Sequence, residues 1–183
     1  MKNINIRFKE QEKDLLRSLI GKRLNSYRHD EFRFTPTSTQ AVQIEMEGDA
    51  LYYLYSFVEE QDYYGVSEDV AVWSFGDEKL PIIDRKRFII TPVGEEIKSI
   101  YLVQENQRTY EKNEQTYNVW LTRGIIIDLG ENQVSFEKDR WFSEEIIVHR
   151  GYDLIDQFAP TDEFGKDWDS DVITECSREI ISL

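Results

Sequence analysis

A long alternating segment, residues 117–129, constrains the fold of this sequence more than any other feature. Its odd positions carry the side chains Tyr117, Val119, Leu121, Arg123, Ile125, Ile127 and Leu129, and six of these seven are apolar. The even positions are mostly polar or small. Because side chains alternate between the two faces of a strand, this period of two predicts a long strand with one buried face.

The segments beside this strand extend the same pattern into a sheet. A turn at Gly130 leads into a second alternating run with Val134 and Phe136, and 146–148 is a third apolar run. Residues 97–104 are apolar on both faces, which is typical of a central or covered strand. We therefore predict the central strands within 97–148, with the polar stretch 105–115 as an exposed connection.

A β-hairpin is predicted over residues 41–58. Val42, Ile44 and Met46 alternate with polar residues, and Gly48-Asp49 suits a two-residue turn. That turn predicts a register in which Ile44 lies opposite Tyr53, with the apolar side chains on one face.

Residues 9–20 predict an amphipathic helix, since its leucines and Ile20 form one apolar stripe and Gly21 suits the C-terminal cap. The strand pattern stops after Val148; the last segment, 152–183, fits helix or strand, and from Val172 onward we favour strand. The predicted fold is a single α+β domain, 1–183. It consists of a predominantly antiparallel β-sheet, like a sandwich or half-barrel, with the N-terminal helix packed on it.

The charge balance bears on partners. The chain has 22 basic and 36 acidic residues and a net charge of −14. Phosphate binding depends on Lys and Arg, so the balance argues against nucleic acid and favours a basic partner. No apolar run is long enough for a membrane span or signal peptide, and we expect a cytoplasmic protein without membrane contact. The lone Cys176 excludes an internal disulfide framework.

Motifs for catalysis or cofactors are weak. The two histidines, His29 and His149, lack a second ligand at metal-binding spacing, and no phosphate-binding or dinucleotide-binding motif occurs. We therefore predict no cofactor and assign no catalytic or metal-ligating residue. Asp167, Asp169 and Asp171 match the first ligands of a calcium loop, but Val172 stands where that loop needs glycine.

Asp84, Glu96 and Lys98 resemble the D…E-x-K spacing of metal-dependent nucleases. In such sites the carboxylates hold Mg²⁺ and the lysine helps to position water. A divalent-metal-dependent hydrolase is therefore one alternative function, although the acidic chain opposes DNA binding.

The stretch 59–69 is acidic and aromatic, and we predict it as a loop around Gly65. The binding residues proposed from sequence are Tyr63, Tyr64, Glu68 and Asp69, because aromatic anchors ringed by charge are typical of interfaces with basic proteins. The favoured hypothesis is a non-enzymatic protein-binding domain. An antidote or immunity-type protein that neutralises a basic toxin is one form of it. A structural homo-oligomer, such as a homodimer, is the third alternative.

Overall fold

The structure, a computed structural model, describes residues 1–30, 37–63, 66–80 and 88–183. These residues form two mainly antiparallel sheets with few helices, which confirms the prediction of a mostly antiparallel β protein. The strands are β1 Lys2–Ile6, β2 Arg23–Asp30, β3 Ser38–Thr39, β4 Ala41–Met46, β5 Leu51–Tyr63, β6 Val66–Gly76, β7 Phe88–Glu96, β8 Ser99–Glu111, β9 Glu114–Asp128, β10 Gln133–Lys138, β11 Ile146–Gly151 and β12 Ile173–Ser182. The α-helix α1 spans Glu10–Arg17, and 3₁₀ turns lie at Glu47–Asp49, Leu154–Gln157 and Thr161–Asp167.

The seven-stranded sheet is built around β9, which contains the long alternating segment. Its strand order is β12-β8-β9-β10-β11-β3. One edge of β9 is shared by two strands: β10 pairs with its C-terminal half, and β1 pairs in parallel with residues 117–121. We did not predict β1, because its alternation covers only Ile4 and Ile6.

The predicted exposed connection at 105–115 is wrong. β8 continues to Glu111, and the β8–β9 turn is the pair Lys112-Asn113, with φ of 50° and 66°. A two-residue turn with positive φ at both positions suits the twist of a hairpin. The polar side chains misled the prediction, since Glu105 and Gln107 are buried at 2% exposure and are hydrogen-bonded to each other.

The five-stranded sheet has the order β6-β5-β4-β2-β7. In its β4–β5 hairpin the predicted register is wrong by one residue, since Ile44 lies opposite Tyr52 and not Tyr53. The connection is a 3₁₀ turn over Glu47–Asp49, with φ of 73° at Gly48, in place of the predicted two-residue turn. One extra turn residue moves Tyr53 to the face opposite that of Ile44.

The predicted acidic loop at 59–69 is also wrong as a loop. β5 continues to Tyr63 and β6 begins at Val66, so the acidic residues lie on two paired strands. Pairs run from Tyr53↔Gly76 to Tyr63↔Val66 without a bulge. This strand pairing determines which carboxylates lie on the same face of the β5–β6 hairpin, whereas a loop would leave their positions undetermined.

The main core takes side chains from both sheets, from Leu16 of α1 and from Leu19, which lies just after the helix; both leucines are at 0% exposure. Oε1 of Glu12 also accepts a hydrogen bond from the backbone N–H of Phe75 at 3.0 Å, which ties the helix to the outer edge of β6. The helix is shorter at both ends than the predicted 9–20. Among the described residues, no helix has the length and apolar character needed to cross a membrane.

Candidate cation-binding groove

The outer edge of β6 meets a segment that follows β10. The backbone N–H of Ala71 donates to the carbonyl oxygen of Trp141 at 2.7 Å, and Nζ of Lys138 donates to the Ala71 carbonyl at the same distance. Ala71 therefore directs its backbone groups away from β5. These two contacts position Trp141 beside the acidic part of β6.

A groove of about 590 Å³ opens between this segment, β6, β9 and the 3₁₀ turn near the C-terminus. Its volume falls within the range of ordinary ligand sites. The lining combines four carboxylates, four aromatic rings and one hydroxyl: Glu60, Glu68, Asp69, Asp167, Tyr117, Trp141, Phe142, Trp168 and Ser67. Acidic groups and π faces both attract cations, so the lining suits a positively charged ligand.

Two of the carboxylates lie directly opposite each other on the β5–β6 ladder. Glu60 pairs with Asp69, at a position that alternates with hydrogen-bonded pairs and brings side chains close together. Like charges in such a pair are unfavourable in the absence of a cation. Asp69 is exposed, and its carboxylate has no ion pair or hydrogen bond among the residues that the structure describes.

A lysine of the chain itself, Lys2, contacts two of the residues that line the groove. Nζ of Lys2 forms an ion pair with Glu68, lies 3.0 Å from the Tyr117 hydroxyl oxygen and lies 4.8 Å from the centroid of the Tyr117 ring. The Tyr117 hydroxyl donates to Glu68 Oε1 at 2.7 Å. The geometry shows how an ammonium group fits between a carboxylate and a ring that both line the groove.

These contacts shift the pKa values of the three groups. Burial alone would raise the pKa of Glu68, but hydrogen bonds from Lys2 and Tyr117 outweigh it and lower that pKa. Burial would lower the pKa of Lys2, yet the Glu68 and Tyr117 contacts raise it. Burial raises the pKa of Tyr117. All three shifts favour a charged Lys2–Glu68 pair beside a neutral phenol.

The aromatic rings form one contiguous cluster. The ring centroid of Tyr117 lies 5.1 Å from that of Trp168 and 5.9 Å from that of Trp141, which lies 5.2 Å from Phe142. The indole N–H groups of Trp141 and Trp168 are buried and have no acceptor in the described part of the chain. Buried donors are usually paired, so two unpaired donors beside one groove suit a ligand that carries acceptors.

A buried ionic network lies behind the groove, on the same face of the seven-stranded sheet. Val103 pairs with Gly124 and Gln104 with Thr122, so Arg123 is the extra residue of a β-bulge. Its Nη2 lies 2.8 Å from Oε1 of Glu137, and both side chains are at most 5% exposed. The bulge explains why Arg123 breaks the apolar alternation of β9.

Further contacts of this network hold the chain segment before the last 3₁₀ turn. Nε of Arg178 donates to Oε1 of Glu105 at 2.9 Å, and its Nη2 donates to the Ala159 carbonyl. The Ala159 N–H donates to Glu137 at 2.9 Å. Burial would raise the pKa of Glu137, but His149 and the charge of Arg123 outweigh it and lower that pKa. The network therefore fixes the segment that carries one wall of the groove.

The space inside this network is too small for a substrate. The cavity measures about 10 Å³, room for about one water molecule, and the side-chain oxygen of Gln107 beside it has no hydrogen-bond partner in the described ranges of the chain. Burial and then the Glu105 charge raise the pKa of Cys176 to about 12, so its thiol stays protonated at neutral pH. The network supports structure, and the groove offers the space for a ligand.

The structure brings together part of the sequence-predicted site. Glu68 and Asp69 both line the groove. Tyr64 lies outside the described residues, and of Tyr63 only the backbone is described, opposite Val66. The groove aromatics come from β9 and from segments that follow β10 and β11. In the sequence Trp141 and Trp168 stand out only as large aromatic residues, and no pattern links them to the acidic stretch.

The metal-site candidates do not assemble. Asp84 lies outside the described residues, while Glu96 ends β7, although the motif requires it to open a strand, and pairs with Lys98 at 3.0 Å on the surface. Asp167 pairs with Arg140 at 2.7 Å. Within residues 1–30, 37–63, 66–80 and 88–183, no group of three or more His, Cys, Asp or Glu side chains is arranged to hold a metal ion.

Comparison with protein families, with characterised proteins and with solved structures finds no match to this chain.

Proposed function

We propose that this protein is a non-enzymatic binding protein whose acidic, aromatic groove receives a basic segment of a partner protein. The observation that supports the proposal most is the environment of Lys2, whose ammonium group lies against the Tyr117 ring and pairs with Glu68. A lysine or arginine of a partner would make the same contacts farther along the groove.

The unpaired charge of the groove supports a cationic ligand. Lys2 is matched by Glu68, and Asp167 is matched by Arg140, but Glu60 and Asp69 face each other and neither forms an ion pair with any residue that the structure describes. A partner's cation between them would replace like-charge repulsion with two attractions. The net charge of −14 would also speed the approach of a basic partner at low salt.

Calorimetric titration with hexalysine tests the proposal, with hexaglutamate as the charge-reversed control. We expect hexalysine to bind at low salt and to weaken as salt screens the contact, and hexaglutamate not to bind. The variant Asp69→Asn should weaken hexalysine binding about two- to fivefold, which lies within the range for a solvent-exposed ion pair.

The matched control for that variant is Glu179→Gln. Glu179 is an exposed carboxylate on β12, outside the groove, and its substitution changes the net charge by the same amount. Equal weakening by both variants would show binding to overall charge and contradict the proposed groove. No hexalysine binding by the wild type at low salt would contradict the proposed function itself.

The scaffold that carries this groove is, we propose, a single β-sandwich domain with α1 packed against it. The proposal is supported by the main core cluster, which includes side chains from both sheets and Leu16 of the helix. Limited proteolysis that leaves one resistant fragment of nearly full length would support a single domain. Two stable fragments would contradict it.

A further inference from the structure

In the described chain, the outer edge of β6 is hydrogen-bonded to other segments over only part of its length. The N–H of Phe75 donates to Glu12, and that of Ala71 donates to Trp141. Toward the hairpin tip, the same edge continues through Asp69 and Ser67, where no backbone hydrogen bond is made to another part of the described chain. The strand edge is thus covered at one end and open where it borders the groove.

The pairing of β6 with β5 fixes the direction of these backbone groups. In an antiparallel ladder, alternate residues direct both N–H and C=O to the partner strand or away from it. Ala71 directs its groups away from β5, and the ladder to the tip has no bulge, so Asp69 and Ser67 do the same. Two N–H and two C=O groups therefore face the groove side.

We propose that the basic segment binds as an added strand, in extended conformation, along the β6 edge at Ser67–Asp69. This inference rests on the proposed function and specifies how the ligand binds. Open strand edges bind extended peptides through main-chain hydrogen bonds, while alternate side chains give specificity. The segment would continue the line along which Trp141 already pairs with Ala71.

The carboxylates around this edge match the alternation of an added strand. Glu60 and Asp69 share one face of the hairpin, and Glu68 lies on the other face with Lys2. Successive side chains of an added strand point to opposite faces. A segment with lysine at every second position would therefore set its ammonium groups along one acidic face, with small polar residues between them.

The test uses the intact protein and a capped hexapeptide that alternates lysine and threonine. Two further peptides carry N-methyl groups on all lysine amides or on all threonine amides. In an added strand only one of these two sets of N–H groups faces β6. We expect one methylated peptide to bind more than tenfold more weakly than the parent and the other to stay within threefold. Equal affinities of the two methylated peptides, high or low, would overturn strand addition.

A protein variant gives an independent readout. Ser67→Pro removes an N–H that β5 does not use, and proline is tolerated at such edge positions. Ser67→Ala is the matched control, because it removes the same hydroxyl, which donates to Glu60, but keeps the N–H. We expect the proline variant to bind the parent hexapeptide at least fivefold more weakly than the alanine variant. Equal binding by both would overturn strand addition, whereas hexalysine binding would still report on the proposed function.

Discussion

Neutralising Glu137 should destabilise the protein at neutral pH. The substitution Glu137→Gln keeps the size of the side chain and an oxygen for hydrogen bonding, but removes the negative charge next to Arg123. The two groups are 2.8 Å apart and nearly inaccessible to water. An unmatched guanidinium in that place cannot be hydrated, so the loss is a cost to the folded state.

The magnitude follows from the distances. Two unit charges 2.8 Å apart attract by about 6 kcal/mol at an effective dielectric constant of about 20. The glutamine oxygen would retain a hydrogen bond, and Glu105 lies 4.0 Å from Nε of Arg123, so part of that attraction is replaced. Loss of one partner of a buried pair typically costs about 3–5 kcal/mol. We therefore expect Glu137→Gln to lower the free energy of unfolding by about 2–3 kcal/mol.

The assay is urea unfolding at pH 7, followed by tryptophan fluorescence. Because the folded-state pKa of Glu137 is lowered, its contribution is present above the unfolded pKa, about 4.3, and disappears as pH falls through the folded value. The difference between wild type and variant should therefore shrink in acid. Glu175→Gln, in an exposed pair with Arg108 at 3.1 Å, is the control and should cost less than about 0.5 kcal/mol. A cost below about 1 kcal/mol for Glu137→Gln would refute the reasoning.

Two more predictions concern the core. Burial, and then the charge of Arg123, places the pKa of Lys138 well below its usual value, so between the folded and unfolded pKa values stability rises with pH. Urea unfolding should show that the free energy of unfolding of the wild type, relative to that of Lys138→Met, is higher at pH 10 than at pH 7. A difference that does not change with pH would contradict this. An alanine Cβ at Gly124 would overlap the Phe158 ring and lie 2.7 Å from the Phe136 carbonyl oxygen, so Gly124→Ala should cost about 1–3 kcal/mol. Gly76→Ala, whose nearest atom would be 4.0 Å away, should cost less than about 0.5 kcal/mol, and equal costs in thermal unfolding would refute the packing argument.

The sequence was sufficient for the strands whose signal is local. Alternation around β9 and β4 depends only on residues two apart, so those strands could be predicted. The register of the β4–β5 hairpin could not be predicted, because it depends on whether Glu47 belongs to the turn. Including Glu47 in the turn shifts every facing pair by one residue. Polarity also misled the prediction where polar residues are buried, as at Glu105, whose ion-pair partner Arg178 lies far away in the sequence.

The candidate site was likewise only partly predictable from the sequence. Glu68 and Asp69 stand out in the sequence as part of an acidic, aromatic stretch, and both line the groove. Trp141 and Trp168 reach it from segments that follow β10 and β11, through contacts such as the Ala71–Trp141 hydrogen bond. No periodic pattern in the sequence predicts that these segments come into contact. The pairing of carboxylates on two neighbouring strands was not predicted either, because we predicted a loop where these two strands pair.

The central claim, that the groove receives a basic ligand, is tested most directly by NMR of the four tryptophan indole N–H groups during hexalysine titration. Trp141 and Trp168 line the groove, whereas Trp73 lies in the core and Trp120 on the opposite face of the seven-stranded sheet. Each signal can be assigned by a Trp→Phe variant. The account predicts that the two groove signals shift with hexalysine while the other two stay in place. Four unmoved signals, or a shift confined to Trp73 and Trp120, would contradict it.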